Sequence, residues 1–171
     1  MNASTTTIMS PSLGDENVNT GLNKDAREQI AGHLSEILSD TYMLVIKTHI
    51  YHWNVVGPMF HAVHEMTEQQ YEDLFKAADV IAERIRALGF RAPLSDHSGP
   101  SETVVSRAAK AESAHEMVHD LIDGHEAAIR KMRKAAELAE KHDDFVSHDM
   151  LVGRMTFHEQ VVWMLRSLVT E

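Results

Sequence analysis

Four stretches of this chain repeat their apolar residues at intervals of three and four, and none alternates convincingly with a period of two. Ile30, Leu34, Leu38 and Val45 trace one stripe through residues 25–56, where Gly57-Pro58 ends the pattern. The same spacing predicts a second helix over 60–88, with Gly89 just past its end. A third covers 111–142, turning Met117, Leu121, Ile129 and Met132 inward, and a fourth runs over 145–169 after the punctuation of Asp143-Asp144. The first two helices would each be roughly 45 Å long at about 1.5 Å per residue. Between the second and third, residues 91–100 hold two of the four prolines. That segment is too long for a tight hairpin and leaves room for a short helix over 101–108.

Long helices joined by one long connection predict an all-α fold, a ferritin-like four-helix bundle whose crossover between helices 2 and 3 carries a short extra helix. An up-and-down bundle would favour short loops throughout. The 171 residues suffice for one core-bearing domain over 24–171. Residues 1–23 are Ser/Thr/Asn-rich, carry only Asp15 and Glu16 as charges, and read as a flexible tail. The absence of cysteine excludes disulfides and Cys-based zinc sites. Acidic residues outnumber basic ones 26 to 16, and a net charge of −10 argues against a surface that binds nucleic acid or anionic lipid throughout. A local basic patch stays open. With no apolar run near 18 residues and no basic residue before Lys24, an intracellular, cytoplasmic protein without a membrane partner is expected.

The chain holds twelve histidines, and the helical face each occupies separates them. At about 100° per residue, Leu34, Leu38 and Val45 fall within about 40° of His52, so His52 lies in the apolar stripe. A lone histidine there is more often a hydrogen-bonded core residue than a ligand. His64, however, lies across the Gly57-Pro58 break, each histidine about one turn from it. On adjacent antiparallel helices the two imidazoles can lie level, which makes a metal pair plausible. Glu68, Asp79 and Glu83 follow at about 40°, 60° and 100° from His64, in one stripe with Tyr71, Phe75 and Ala82. Apolar neighbours predict that this face is buried, and buried carboxylates are costly without cations. Yet His64 and Asp79 are about 22 Å apart along a straight helix. Either one chain holds two sites, or a twofold axis sets one chain's histidine end against the other's carboxylate end.

Glu112–His115 and Glu116–His119 form two Glu-x-x-His units, a pattern that di-iron bundles place on two different helices. Here both sit on the third helix, opposite its apolar arc, so a solvated face is the better reading and an organic-substrate di-iron oxidase the weaker one. His49 and Trp53 neighbour His52 and are candidates for the shell around it. The other histidines, His125 and His158 among them, show no comparable constellation.

The run from Lys47 to Glu68, KTHIYHWNVVGPMFHAVHEMTE, followed by DVIAER from Asp79 to Arg84, resembles the Dps family, the mini-ferritins named for DNA-binding proteins of starved cells. The resemblance spans roughly residues 25–169. It implies a hollow dodecamer with ferroxidase centres at twofold interfaces, to which His52, His64 and Glu68 come from one chain and Asp79 and Glu83 from its mate. Iron is the implied metal, hydrogen peroxide the implied oxidant, and a stored ferric mineral the product, protecting the cell from oxidative stress. Many members carry Asp where this chain has Glu68; the added methylene is expected to move the weaker metal position. Family pores near the start of the last helix are lined by carboxylates, for which Asp143, Asp144 and Asp149 are the candidates, with helix capping the other reading of Asp143-Asp144. Members that bind DNA through the tail usually carry Lys or Arg there, and residues 1–23 have neither. DNA binding, and with it nucleoid association, is therefore expected to be weak or absent near neutral pH. A DNA-compacting protein with secondary iron handling is the alternative.

Overall fold

A computed structural model describes residues 18–92, 108 and 110–170. Its helices are α1 (Lys24–Asn54), α2 (Phe60–Ala87), α3 (Ala114–Lys141) and α4 (Phe145–Val169), with no strand among the described residues. α1 packs along α2 and α3 along α4, and the two hairpins meet chiefly through α1 and α3. The fold is the expected all-α four-helix bundle. Of the short helix expected over 101–108, only Ala108 falls among the described residues, and it is buried. The expected tail lies outside them up to residue 17, while Leu22 packs against the core ahead of α1.

Local chemistry sets the helix ends. Asn23 caps α1 by accepting the Ala26 amide, and Ser113 and Glu116 form a capping box at the start of α3. α2 ends in a Schellman turn: Gly89 sits at φ +94°, and Phe90 N–H bonds back to the Ile85 carbonyl. α3 ends in the same turn, with Asp144 N–H on the Ala139 carbonyl, but the left-handed position is filled by Asp143 at φ 59°. Asp144 then caps α4 through the Ser147 amide. Arg84 of α2 bonds both Asp144 (2.7 Å) and Ser147 Oγ (2.8 Å), tying the start of α4 to the end of α2.

Candidate metal centre

His52 lies one turn before the end of α1 and His64 in the first turns of α2, and the Gly57-Pro58 connection brings them together. Their rings stack with centroids 3.8 Å apart and planes 18° apart. Each Nδ1 faces the other's backbone carbonyl: His52 Nδ1 to His64 O at 3.0 Å, and His64 Nδ1 to His52 O at 2.9 Å. A carbonyl only accepts, so both Nδ1 atoms carry hydrogen and both Nε2 atoms keep a lone pair when the rings are neutral. The His52 carbonyl belongs to the last turn of α1, where intrahelical donors run out, so the contact also satisfies a helix terminus. Thr67 Oγ1 donates to the carbonyls of Val63 and His64 and lies 3.4 Å from His52 Nδ1.

Around this pair, Tyr71 sets its ring edge against His52 (84° between planes) and its hydroxyl 3.5 Å from Glu68 Oε1. His49 packs on Tyr71 and stacks on Trp53, whose indole is largely exposed. Burial, then the nearby His52, lower the His49 pKa. One chain thus gathers His52 and His64 with Glu68, Tyr71 and His49 alongside. Asp79 and Glu83 are not brought to them. They stand exposed farther along α2, and among the described residues no three metal-capable side chains converge on one point.

The face carrying them differs from the sequence expectation. Burial on α2 belongs to Val63, Thr67, Gln70, Leu74, Ala77, Ala78, Ile81 and Ile85, whereas Phe75 at 60% exposure stands open beside the carboxylates. Apolar residues in a stripe signal burial only if something covers them: Tyr71 packs on His49 and Ala82 is partly buried against the core, whereas Phe75 meets Tyr42 edge-on and stays largely open within one chain. His115, Glu116 and His119 lie on the exposed face of α3 as expected, but Glu112 precedes the helix, ahead of its Ser113 cap, and Glu116 is engaged in the capping box. Its bonds from the Glu112 and Ser113 amides lower its pKa.

At the start of α4, Asp143 and Asp149 are exposed, whereas Asp144 is buried and turned inward. Burial alone would raise its pKa, but hydrogen bonds from Ser147 and Arg84 outweigh that and hold the carboxyl below its usual range. As a pore-lining candidate Asp144 is therefore corrected: its carboxylate caps α4 and pairs with Arg84.

Sequence reasoning passed over His125 and His158, which meet in the bundle core with Nδ1 atoms 2.8 Å apart and no solvent exposure. A signal existed. His125 lies four residues from both Leu121 and Ile129, inside the apolar arc of α3, and His158 continues the Leu151, Met155, Val162 and Leu165 stripe of α4.

A family model for the ferritin-like domain matches residues 31–171. An uncharacterized low temperature-induced protein of Nostoc sp. (strain PCC 7120) is 37% identical over 155 residues, 89% of this chain and 86% of its own. DNA protection during starvation protein 2 of Bacillus anthracis is 31% identical over 84% of this chain and 99% of its own. Among solved structures, DpsA14 of Streptomyces coelicolor superposes with a TM-score of 0.78 at 28% identity, covering 96% of both chains. The Dps protein of Vibrio cholerae O1, described as a ferritin-like diiron-carboxylate protein, gives 0.75 at 26% identity, covering 90% of this chain and 97% of its own.

Proposed function

The chain belongs to the Dps family within the ferritin-like proteins, and from that premise we propose that it is a ferroxidase and iron store. The substrate is Fe(II), the preferred oxidant hydrogen peroxide, and the product a ferric mineral held in a hollow dodecamer. The reciprocal anchoring of His52 and His64 carries this reading. Two imidazoles whose Nδ1–H groups are tied to carbonyls present Nε2 lone pairs side by side, the arrangement a metal-binding histidine pair needs. Imidazole nitrogens combined with carboxylate oxygens suit iron.

The site is completed by a second copy: His52, His64 and Glu68 of one chain meet Asp79 and Glu83 of its twofold mate. Two observations support this. The ligands are about 22 Å apart by helical rise within one chain. Phe60 and Phe75, exposed in the same stripe as His64 and Asp79, give the mate an apolar surface to bury. Two Fe(II) held together supply the two electrons that reduce one peroxide to two hydroxide ions, so no one-electron step releases hydroxyl radical. Thr67 steadies the His64 carbonyl that fixes His52, and Tyr71 borders both His52 and Glu68. The longer reach of Glu68 shifts the weaker iron position. Asp143 and Asp149 are the exposed carboxylates offered for iron entry at the start of α4.

DNA is not proposed as a partner, although relatives are named for DNA protection. Arg130, Lys131, Arg133 and Lys134 form a short basic cluster on α3, in which the first three pair with Glu126, Asp40 and Glu159, so that Lys134 is the member without an ion pair among the described residues. Salt-sensitive retardation of plasmid by the purified protein at neutral pH would overturn this.

Anaerobic Fe(II) loading followed by peroxide tests the ferroxidase. Wild type oxidises iron rapidly, and His52→Ala with Asp79→Ala in one chain is slow; a double variant as fast as wild type overturns the site. Mixing the two single variants restores part of the activity, and no rescue counts against ligands shared between chains.

A further inference from the structure

The fully buried apolar residues of the bundle fall into two clusters, bridged by the partly buried Ile129 and Phe157. One part is built around Leu34, Leu38, Ile81, Met132 and Leu151, the other around Tyr51, Val63, Val118, Leu121 and Leu165. Between them every helix contributes buried polar side chains, among them Thr48 from α1, Gln70 from α2, His125 from α3 and His158 from α4, none of these four more than 3% exposed. Lys47 pairs with Asp120, Asp73 with Arg154, His52 with His64 and His125 with His158, and these contacts fix the axial register of all four helices. By that register the four polar residues lie within about one helical turn of each other along the bundle, roughly 5–6 Å.

The hydrogen bonding of this layer is incomplete. At 2.8 Å, one of the two Nδ1 atoms must donate and the other accept, so the rings are opposite tautomers. One Nε2 is then a lone pair and the other an N–H. Neither has a hydrogen-bond partner among the described residues, and the same holds for Thr48 Oγ1 and Gln70 Oε1. Four such atoms, fully buried at one level of one core, are not the usual condition of a folded interior. Desolvation first, and nearby Arg154 second or third, keep both rings neutral, with Lys47 and His125 contributing to one ring each.

The surroundings choose the occupant. Lys47 and Arg154 border the layer, and the carboxylates near them are committed, Asp120 to Lys47 and Tyr51, Asp73 to Arg154. A divalent cation would meet positive charge and no free carboxylate, while Arg154, paired with Asp73 through Nη1 alone, keeps buried Nε and Nη2 donors that a neutral acceptor such as water can also serve. What fits is a small neutral molecule that both donates and accepts. A cleft of about 180 Å³ between α2 and α4, lined by Met66, Gln69, Gln70, Phe157 and Gln160, leads to Gln70 and offers a route in.

We propose that this mid-bundle layer binds internal water on both sides of the His125–His158 pair, one site at each outward-facing Nε2 atom, with Thr48 and Gln70 as the further polar groups of the layer. Such water makes about three bonds to buried groups that lack other partners, which is the usual role of internal water. The site lies within one chain and is independent of the shared iron centre.

Crystals of the full chain, grown free of metal, soaked in zinc and measured at the zinc edge, decide the matter. The expected result is separate solvent density roughly 2.6–3.2 Å from each Nε2 atom, with no anomalous signal there. An anomalous peak on His125 or His158 overturns the proposal in favour of a cation site. Rings turned to bond protein groups, with no density at either Nε2 atom, overturn it in favour of a dry layer. Zinc at His52 and His64 in the same crystal reports separately on the proposed iron ligands, so failure of either reading is visible without the other.

Discussion

Two histidine pairs close across neighbouring helices in this bundle, and they are chemically unlike. His52 and His64 stack face to face, each Nδ1 tied to a backbone carbonyl, and His64 is only half-buried. His125 and His158 are bonded to each other and sealed from solvent. The carbonyl anchors fix one tautomer in both rings of the first pair and leave two equivalent donors for a metal. Mutual bonding forces unlike tautomers on the second and leaves one donor and one acceptor facing different ways. What the Nδ1 atom touches, more than the presence of histidine, decides which pair can hold a metal.

Acid separates the pairs most sharply. The folded pKa of His125 and of His158 lies well below the ordinary 6.5, burial being the main cause. A base whose pKa is lowered by folding takes up protons more readily when unfolded. The stability it contributes is therefore complete above about pH 6.5 and lost as pH falls below it. At pH 5 each ring costs about 2 kcal/mol, or about 4 kcal/mol for the pair. Denaturant unfolding at pH 7 and pH 5 checks this against the His125→Gln, His158→Gln double variant, which is expected to lose that share of the pH dependence. An unchanged dependence would mean the pair is not neutral and buried as described.

Activity reverses the order. His64→Ala removes a proposed ligand at a half-open site and should slow peroxide-driven iron oxidation about 100-fold, roughly 2.7 kcal/mol of barrier, with little change in stability. His158→Phe should lower the unfolding midpoint and leave the initial oxidation rate of folded protein within about twofold. Stopped-flow iron absorbance beside thermal melts reads both; equal loss of rate in the two variants would erase the distinction. Thr67→Val sharpens the first pair further. It keeps the shape of the side chain but removes the hydroxyl bonded to the His64 carbonyl, a loss of about 1 kcal/mol that appears as about a fivefold slower oxidation.

Helical period alone placed the four helices to within about three residues, because each carries an apolar stripe and a chemical stop such as Gly57-Pro58 or Gly89. The meeting of His52 and His64 was legible for the same reason, since both lie one turn from a tight break. The open face of α2 was not, because Phe75 beside Asp79 reads as burial whether the cover is the same chain or another copy. The His125–His158 pair was obscured differently: each residue sits on its apolar arc, but their distance in sequence hid that α3 and α4 place them level.

The contrast between a group turned inward and one left open recurs at adjacent residues 143 and 144. Asp144 is consumed by Arg84 and by the cap of α4, whereas Asp143 holds the left-handed position of the α3 turn with its carboxylate exposed. Glycine fills that position at no steric cost, as Gly89 does at the end of α2, so an aspartate there sacrifices some stability. Asp143→Gly should therefore stabilise the chain by about 1 kcal/mol, read as a higher unfolding midpoint. If Asp143 also serves iron entry, the same variant slows mineral growth at limiting Fe(II) while leaving oxidation at saturating Fe(II) unchanged. Stabilisation with unaltered uptake would remove Asp143 from the entry path and leave Asp149 as the exposed carboxylate to test.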